Sequence, residues 1–216
     1  MTRRDLARHM AECCRQLAMR GITAGQDGNV SARIGRDRVL VTPSGMLKSR
    51  LTGGDMVEVD WTGRRRRGRR NPTSELDLHL RILRRRPDVG AVVHAHPPTA
   101  TAFAVAGEEF TSFVLPELIF LVGPVPLVPY GTPGTPEMGD RVEPFLADHE
   151  AMLLANHGAV TLGRTLDEAW IRMETLEHAA RIILGARVLG RVTALDPGAV
   201  AQLEALRARS LRERDV

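Results

Sequence analysis

Lysine is almost missing from this chain. Of its 30 basic residues, 29 are arginine and Lys48 is the one lysine. Covalent carbonyl chemistry through a Schiff base needs a lysine amine with a lowered pKa in an apolar pocket. Lys48 sits in a loop beside Ser49 and Arg50, and without a second candidate that mechanism is disfavoured. Cysteine is also scarce, with only the adjacent pair Cys13 and Cys14. Neighbours on a helix point about 100° apart. They therefore form no C-x-x-C redox pair and no structural zinc site, and nothing points to a disulfide-built extracellular fold. Both read as core residues.

Aromatic residues are few: five Phe, two Trp and one Tyr. None interleaves with the densest basic run, Arg64–Arg70, which carries six arginines around Gly68. Stacking platforms for nucleic acid are missing, so the run reads as a solvated hairpin or loop and no nucleic-acid partner is expected. No apolar run approaches the roughly 20 residues that cross a bilayer. The N-terminal residues Met1-Thr2-Arg3-Arg4-Asp5 lead into a polar-faced segment and not an apolar signal core. The expectation is a soluble, cytoplasmic protein with no membrane partner. A hydrophobic fraction of 43% over 216 residues can bury a sizeable core, and 26% charged residues with a net charge of +4 exclude a disordered tail protein.

Leu6, Met10, Cys13, Cys14 and Leu17 recur at helical spacing, so residues 3–20 read as an amphipathic helix between Thr2 and Gly21. Val30–Ile34 and Arg38–Thr42 form a predicted hairpin around Gly35-Arg36-Asp37, and Met56–Trp61 alternates as a strand. A helix starts after Asn71-Pro72-Thr73-Ser74 and closes at Pro87, and Val89–Ala95 is a buried strand. A short Ala/Thr helix runs to Ala106, and Leu115–Val128 is cut by prolines into short pieces. A helix over 136–147, strands at 151–154 and 159–162, a long helix from Thr165 to about Gly190 and a last helix from Pro197 complete the reading. Thr165 and Glu168 read as a capping box for the long helix. No repeat and no linker appears, so residues 1–216 are taken as one α/β domain, a sheet covered by helices on both faces.

Histidine carries the chemistry. His94 and His96 are two apart at the end of a strand, and positions i and i+2 share a face. They are either two ligands for one metal or two partly buried polar residues that end a strand. His157, in Asn156-His157-Gly158, follows the next apolar strand, and Gly158 lets the backbone turn tightly beside the imidazole. Three histidines at strand ends match a catalytic zinc site with an open position. His9, His79, His149 and His178 fall in helices or turns and are expected to be dispensable for metal. Glu75 takes the first helical position after Thr73-Ser74. It either complements the helix dipole or works beside a metal as general base. Thr73-Ser74, Gly28-Asn29 and Ser44-Gly45 are small, turn-forming pairs able to face N–H groups to a phosphate.

The order of these pieces carries a resemblance. Gly28-Asn29-Val30-Ser31, Thr42-Pro43-Ser44-Gly45, Thr73-Ser74-Glu75 with His79 four on, His94-Ala95-His96-Pro97 and Asn156-His157-Gly158 follow one another over about residues 5–190. This resembles the class II aldolase/adducin family, which includes L-fuculose-1-phosphate aldolase and L-ribulose-5-phosphate 4-epimerase. The resemblance implies a three-layer α/β/α fold with a central, mostly antiparallel sheet, and a homotetramer with active sites between subunits. It implies that His94, His96 and His157 bind Zn2+, and that Glu75 is the catalytic acid/base and ligates the metal when substrate is absent. It implies that Gly28, Asn29, Ser44, Gly45, Thr73 and Ser74 hold the phosphate of a sugar-phosphate substrate.

The implied reaction is reversible retro-aldol cleavage of a ketose 1-phosphate to dihydroxyacetone phosphate and an aldehyde. The alternatives are a sugar-phosphate 4-epimerase or decarboxylase on the same metal scaffold, or a non-enzymatic adducin-like scaffold. Aldolases of the family look to tyrosines at the aldehyde end, one near the C-terminus, yet Tyr130 is the only tyrosine and the last 86 residues hold none. Glu117, a lone carboxylate in Val114–Phe120, is the candidate in its place. It is either a buried acid with a raised pKa or an exposed loop residue. Tyr130, in a Pro/Gly-rich setting, is its rival.

Overall fold

The structure is a computed structural model that describes residues 1–108 and 113–213. Helix α1 (Arg3–Met19) opens on a capping box: Thr2 Oγ1 accepts the Asp5 N–H at 3.2 Å, and Asp5 accepts the Thr2 N–H at 3.3 Å. Its apolar stripe, including Met10, Cys13, Cys14 and Leu17, is buried. The chain then forms β1 (Asn29–Ile34), β2 (Arg38–Val41), β3 (Val57–Asp60) and β4 (Arg65–Arg67). Helix α2 (Leu76–Arg85), β5 (Ala91–Ala95) and α3 (Pro98–Ala106) follow. The proline-cut stretch becomes a π-helical turn at Leu118–Val122 and a two-residue strand, β6 (Leu127–Val128). Then come α4 (Pro136–Val142), β7 (Ala151–Leu154), β8 (Gly158–Gly163), α5 (Leu166–Val188) and α6 (Pro197–Glu213).

Helix α4 is shorter than the predicted 136–147 segment, and a 3₁₀ turn, Glu143–Phe145, takes over where Pro144 has no N–H to give. The capping box of α5 is half made. Thr165 accepts the Glu168 N–H, but the Glu168 carboxylate accepts from Arg164.

The eight strands form one sheet in the order β4-β3-β2-β1-β5-β8-β7-β6. Every neighbouring pair is antiparallel except β6–β7. Alternation along each strand divides the core. Val30, Ala32, Val93, Ala95 and Leu153 pack with α1, α3 and α5, where Leu166, Ala169, Met173, Leu176 and Ala180 supply the helical stripe. Val39, Val41, Val92, Met152 and Val160 pack on the opposite side with α2 and α4. This is the three-layer α/β/α arrangement. The arginine run forms the sheet's exposed edge, with Arg66 paired to Asp60 at 2.6 Å and Arg70 to Asp55 at 2.7 Å. Charge on an edge strand opposes pairing with another chain.

One buried carboxylate ties α5 to α3. Glu177 accepts the Thr99 N–H at 3.0 Å and the Ala100 N–H at 2.9 Å, at a helix start whose N-cap is Pro97 and has no side-chain cap. Replacing Glu177 with Ala strips both donors of their partner and should destabilise the protein by about 2 kcal/mol. Urea unfolding checks this, and an unchanged midpoint would show that the contact carries no stability.

Candidate metal centre and adjoining pocket

Three strand ends converge at one end of the sheet. The register sets Asn29 opposite His94 across β1–β5, and His94 opposite Val160 across β5–β8. His96 lies one residue past β5, and His157 lies on the turn between β7 and β8. The three imidazole centroids are 4.6, 4.9 and 5.0 Å apart, and one ring nitrogen from each lies within 4.8 Å of the others. His94 Nδ1 is 2.9 Å from the Ala159 carbonyl oxygen, which only accepts. Nδ1 therefore carries a proton, and Nε2, which faces the other rings, either donates to Glu75 or gives up its proton to a cation. There it meets His96 Nε2 at 3.2 Å and Glu75 Oε2 at 3.2 Å.

Glu75 is not the first helical residue. It is the N-cap of α2, and its side chain makes no capping bond. Freed from the helix start, the carboxylate turns to the histidines, with Oε1 3.5 Å from His157 Nε2. Glu75 Oε1 and His157 Nδ1 are buried without a hydrogen-bond partner among the described residues. Ring nitrogens and a carboxylate that converge in this way, with Oε1 and Nδ1 left without partners, make a set a divalent cation satisfies. The residues thus fit a metal.

Asn29 holds the carboxylate in place. Its Nδ2 donates to Glu75 Oε2 at 2.7 Å. Its Oδ1 accepts from His79 Nε2, and Ser31 Oγ lies 2.7 Å from His79 Nδ1. An amide oxygen cannot donate, so His79 carries its proton on Nε2 and accepts from Ser31. His79, set aside by the sequence reading, is fully buried inside this relay. Its place four residues after Glu75, one helical turn on, was the available signal.

The glycines act differently from expectation. The left-handed residue of the Asn156-His157-Gly158 turn is Asn156, at φ 56°. Gly158 is needed for space, since a Cβ there would meet the Ala95 carbonyl oxygen at 2.5 Å and the His96 ring at 2.7 Å. Gly28, at φ 75°, has no room either, because a Cβ there would stand 2.8 Å from the His94 carbonyl oxygen.

A cavity of about 380 Å³ opens beside the histidines, lined by Glu75, His96 and His157 at one end. Gly28, Asn29, Ser44, Gly45, Thr73 and Ser74 line it as well. The Ser44 and Thr73 N–H groups are already donated, to Asn71 and Thr42 carbonyls at 3.1 and 3.0 Å. What these pairs offer an anion is therefore their hydroxyls and the N–H groups of Gly45 and Ser74. Asp27, whose carboxylate is 3.6 Å from His96 Nδ1, and Lys48, Pro133 and Gly134 also line the cavity and were missed. Glu117 and Tyr130 do not line it. Glu117 is exposed at the start of the π-helical turn and not the buried carboxylate one reading expected, and Tyr130 is 50% exposed.

Residues 8–184 match the family described as Class II Aldolase and Adducin N-terminal domain, and the chain belongs to that family. It is 36% identical to an L-fuculose phosphate aldolase of Methanococcus maripaludis over 78% of this chain and 91% of that one. It is 34% identical to a 3-oxo-tetronate 4-phosphate decarboxylase of Escherichia coli over 92% and 95% of the two chains. Among solved structures, YgbL of Escherichia coli superposes with a TM-score of 0.86 at 31% identity, over 94% of this chain and 99% of that one.

Electrostatics give a pH signature. Burial pushes the His79 imidazole down to about 3, and burial together with the neighbouring His94 pushes His157 down to about 4. Burial opposes the ionised form of Glu75, but His94 and the Asn29 amide outweigh it and hold the carboxyl low. Burial also opposes charging of His94, which Glu75 reverses, so that ring alone is raised. An unfolded chain binds protons at His79 and His157 below roughly pH 6.5, where the folded chain refuses them. Stability present above that pH is thus lost as pH falls towards 4, with His94 a smaller opposing contribution. The urea midpoint of chelator-treated protein should fall from pH 7 to pH 5, and less steeply in His79→Gln. A flat midpoint over that range would contradict the assignment.

Proposed function

We propose that the chain is a divalent-metal-dependent lyase that reversibly cleaves a ketose 1-phosphate, of the L-fuculose 1-phosphate kind, to dihydroxyacetone phosphate and an aldehyde. Zinc is the proposed metal. The observation that carries this reading is a buried carboxylate set among three convergent imidazoles in a cavity that also exposes anion-binding hydroxyls and N–H groups. His94, His96 and His157 would hold the ion, with Glu75 joining them in the absence of substrate. Such an ion, when bound, supplies Lewis acidity to substrate oxygens as negative charge develops on the cleaved fragment.

The chain does the rest. Ser44, Gly45, Thr73 and Ser74, with Gly28 and Asn29, hold the phosphate and so orient the carbon skeleton towards the histidines. Glu75 exchanges the proton of the dihydroxyacetone phosphate half. Its Oε2 is committed to Asn29, which leaves the unpartnered Oε1 as the basic atom. Glu117 and Tyr130 remain the proposed acids for the aldehyde side, and they would have to come from a neighbouring subunit.

A decarboxylase acting on a phosphorylated 3-oxo acid is the second reading. The relative with that name covers 92% of this chain, against 78% for the aldolase of Methanococcus maripaludis. Loss of carbon dioxide leaves the same kind of enediolate for Glu75 to protonate. Incubation with dihydroxyacetone phosphate and an aldehyde panel, in parallel with a 3-oxo acid phosphate, separates the two. Neither product in metal-loaded protein would leave the adducin-like scaffold.

Single substitutions of His94, His96 or His157 by Ala should strip the metal, as read by elemental analysis. Glu75→Gln should retain metal while proton exchange into dihydroxyacetone phosphate drops at least about 100-fold. Near-wild-type exchange in Glu75→Gln would move the base elsewhere.

We also infer a homotetramer with sites between subunits. Helix α5 shows Ile171, Ile182, Leu184 and Val188 to the outside at 41–81% exposure, apolar surface that a second copy would cover. Light scattering should give about four times the 23.7 kDa chain mass, and a single-chain mass would refute the assembly.

A further inference from the structure

The one lysine of the chain is buried in the wall of this cavity. Lys48 opens a 3₁₀ turn, Lys48–Arg50, and is only 3% exposed. Its Nζ donates to the Gln26 carbonyl at 2.7 Å and the Met46 carbonyl at 3.2 Å. Among the described residues no carboxylate pairs with it. Burial opposes its charge, and Asp27 and Glu75 act on it only from a distance, so an ammonium held directly by two carbonyl dipoles is incompletely compensated. Among the described residues it is also the only Lys or Arg that lines the cavity, in a chain whose other basic residues are all arginine.

The acidic groups, Asp27 and Glu75, are engaged at the histidine end, with His96 and His94 respectively. The two carbonyls that hold Lys48 flank the Gly28-Asn29 and Ser44-Gly45 pairs in the sequence, so the ammonium sits between the two loops that offer anion donors. Its backbone N–H donates to Gly25 at 3.2 Å and pins the same junction. Two of the three ammonium protons are used by carbonyls. The third has no partner among the described residues, and a phosphate monoester dianion supplies both the acceptor and the missing counter-charge.

We propose that Lys48 is a phosphate-binding residue, the electrostatic anchor for the phosphate monoester end of the ligand. The proposal rests on the sugar-phosphate reading only for the identity of the ligand. It also gives the lone lysine a non-covalent role, a point charge in the cavity wall between the Gly28-Asn29 and Ser44-Gly45 loops, and no Schiff base forms. Burial makes Lys48→Arg a disruptive change, because a guanidinium fork does not fit between the two carbonyls as a compact ammonium does.

A single lysine makes the test direct. Protein grown on lysine labelled at Nζ and Cε carries one labelled side chain, whose signal is followed by NMR. Titration with dihydroxyacetone phosphate and with inorganic phosphate should shift that signal saturably, and unphosphorylated dihydroxyacetone should not. If only inorganic phosphate moves it, Lys48 belongs to a free-anion site and the proposal fails. Lys48→Met should weaken dihydroxyacetone phosphate binding at least tenfold with metal content unchanged. Should that variant not fold, the titration of the labelled wild type decides alone. A signal that stays still while dihydroxyacetone phosphate binds, or wild-type affinity in Lys48→Met, overturns the proposal. So does a borohydride-trapped adduct on Lys48. If no carbon–carbon cleavage is found but the signal moves with dihydroxyacetone phosphate, the functional reading fails and the lysine assignment stands.

Discussion

The site depends on keeping a buried carboxylate ionised. Glu75 is 8% exposed, and desolvation alone would drive a proton onto it. Two elements prevent this. His94, fixed by the Ala159 carbonyl, presents the edge of its ring to Oε2, and Asn29 presents an amide donor to the same oxygen. Asn29 keeps that orientation because its own oxygen is taken by His79, which in turn is held by Ser31. Strand β1 supplies both ends of the relay and helix α2 supplies the middle. The register of β1 on β5 and the docking of α2 on the sheet therefore act together to set one oxygen of Glu75 and leave the other open.

Much of this was legible in the sequence wherever it follows from local periodicity. The pleat of a strand puts His94 and His96 on one face, and the structure brings His157 to them. The helices follow apolar spacing and caps, and α1 begins and ends where Thr2 and Gly21 indicate. What the sequence hid are long-range partners. Nothing near Ser44 or Thr73 shows that their N–H groups are bonded to Asn71 and Thr42. Nothing near Lys48 shows that two loops close over it. Glu117 illustrates the limit in the opposite direction. An apolar run interrupted by prolines does not say which residue faces inward, and the π-helical turn buries Leu118, Ile119 and Val122 while leaving Glu117 outside.

The arginines show why composition has to be read by position. Twenty-nine of them give the chain its basic balance, yet several are committed to carboxylates. Arg86 bonds Asp88 and Glu150, each at 2.7 Å, and Arg172 reaches Glu150 at 3.2 Å. These pairs tie α2 and α5 to the end of the sheet remote from the histidines. The basic edge strand is likewise paired to Asp55 and Asp60. None of these arginines lines the cavity.

In the proposed function the cavity would hold one half of a substrate and leave the other half open. Its walls supply hydroxyls, N–H groups and a lysine, and its histidine end supplies a buried carboxylate and imidazoles that could hold a metal. Among the described residues no side chain suited to protonate a departing aldehyde lines it, since Glu117 and Tyr130 both lie outside. Under the proposed function, the group that leaves, an aldehyde or carbon dioxide, would be chosen by whatever a neighbouring subunit brings to the open side. The same constraint accounts for relatives named as aldolases and as a decarboxylase at similar identity to this chain. Each reaction deposits negative charge on the same carbon–oxygen framework, and in the proposed function each would ask the same thing of Glu75. On that reading specificity for the departing half would belong to the proposed oligomer, while the groups that hold the retained half, Glu75 and the anion donors, all lie in the single chain.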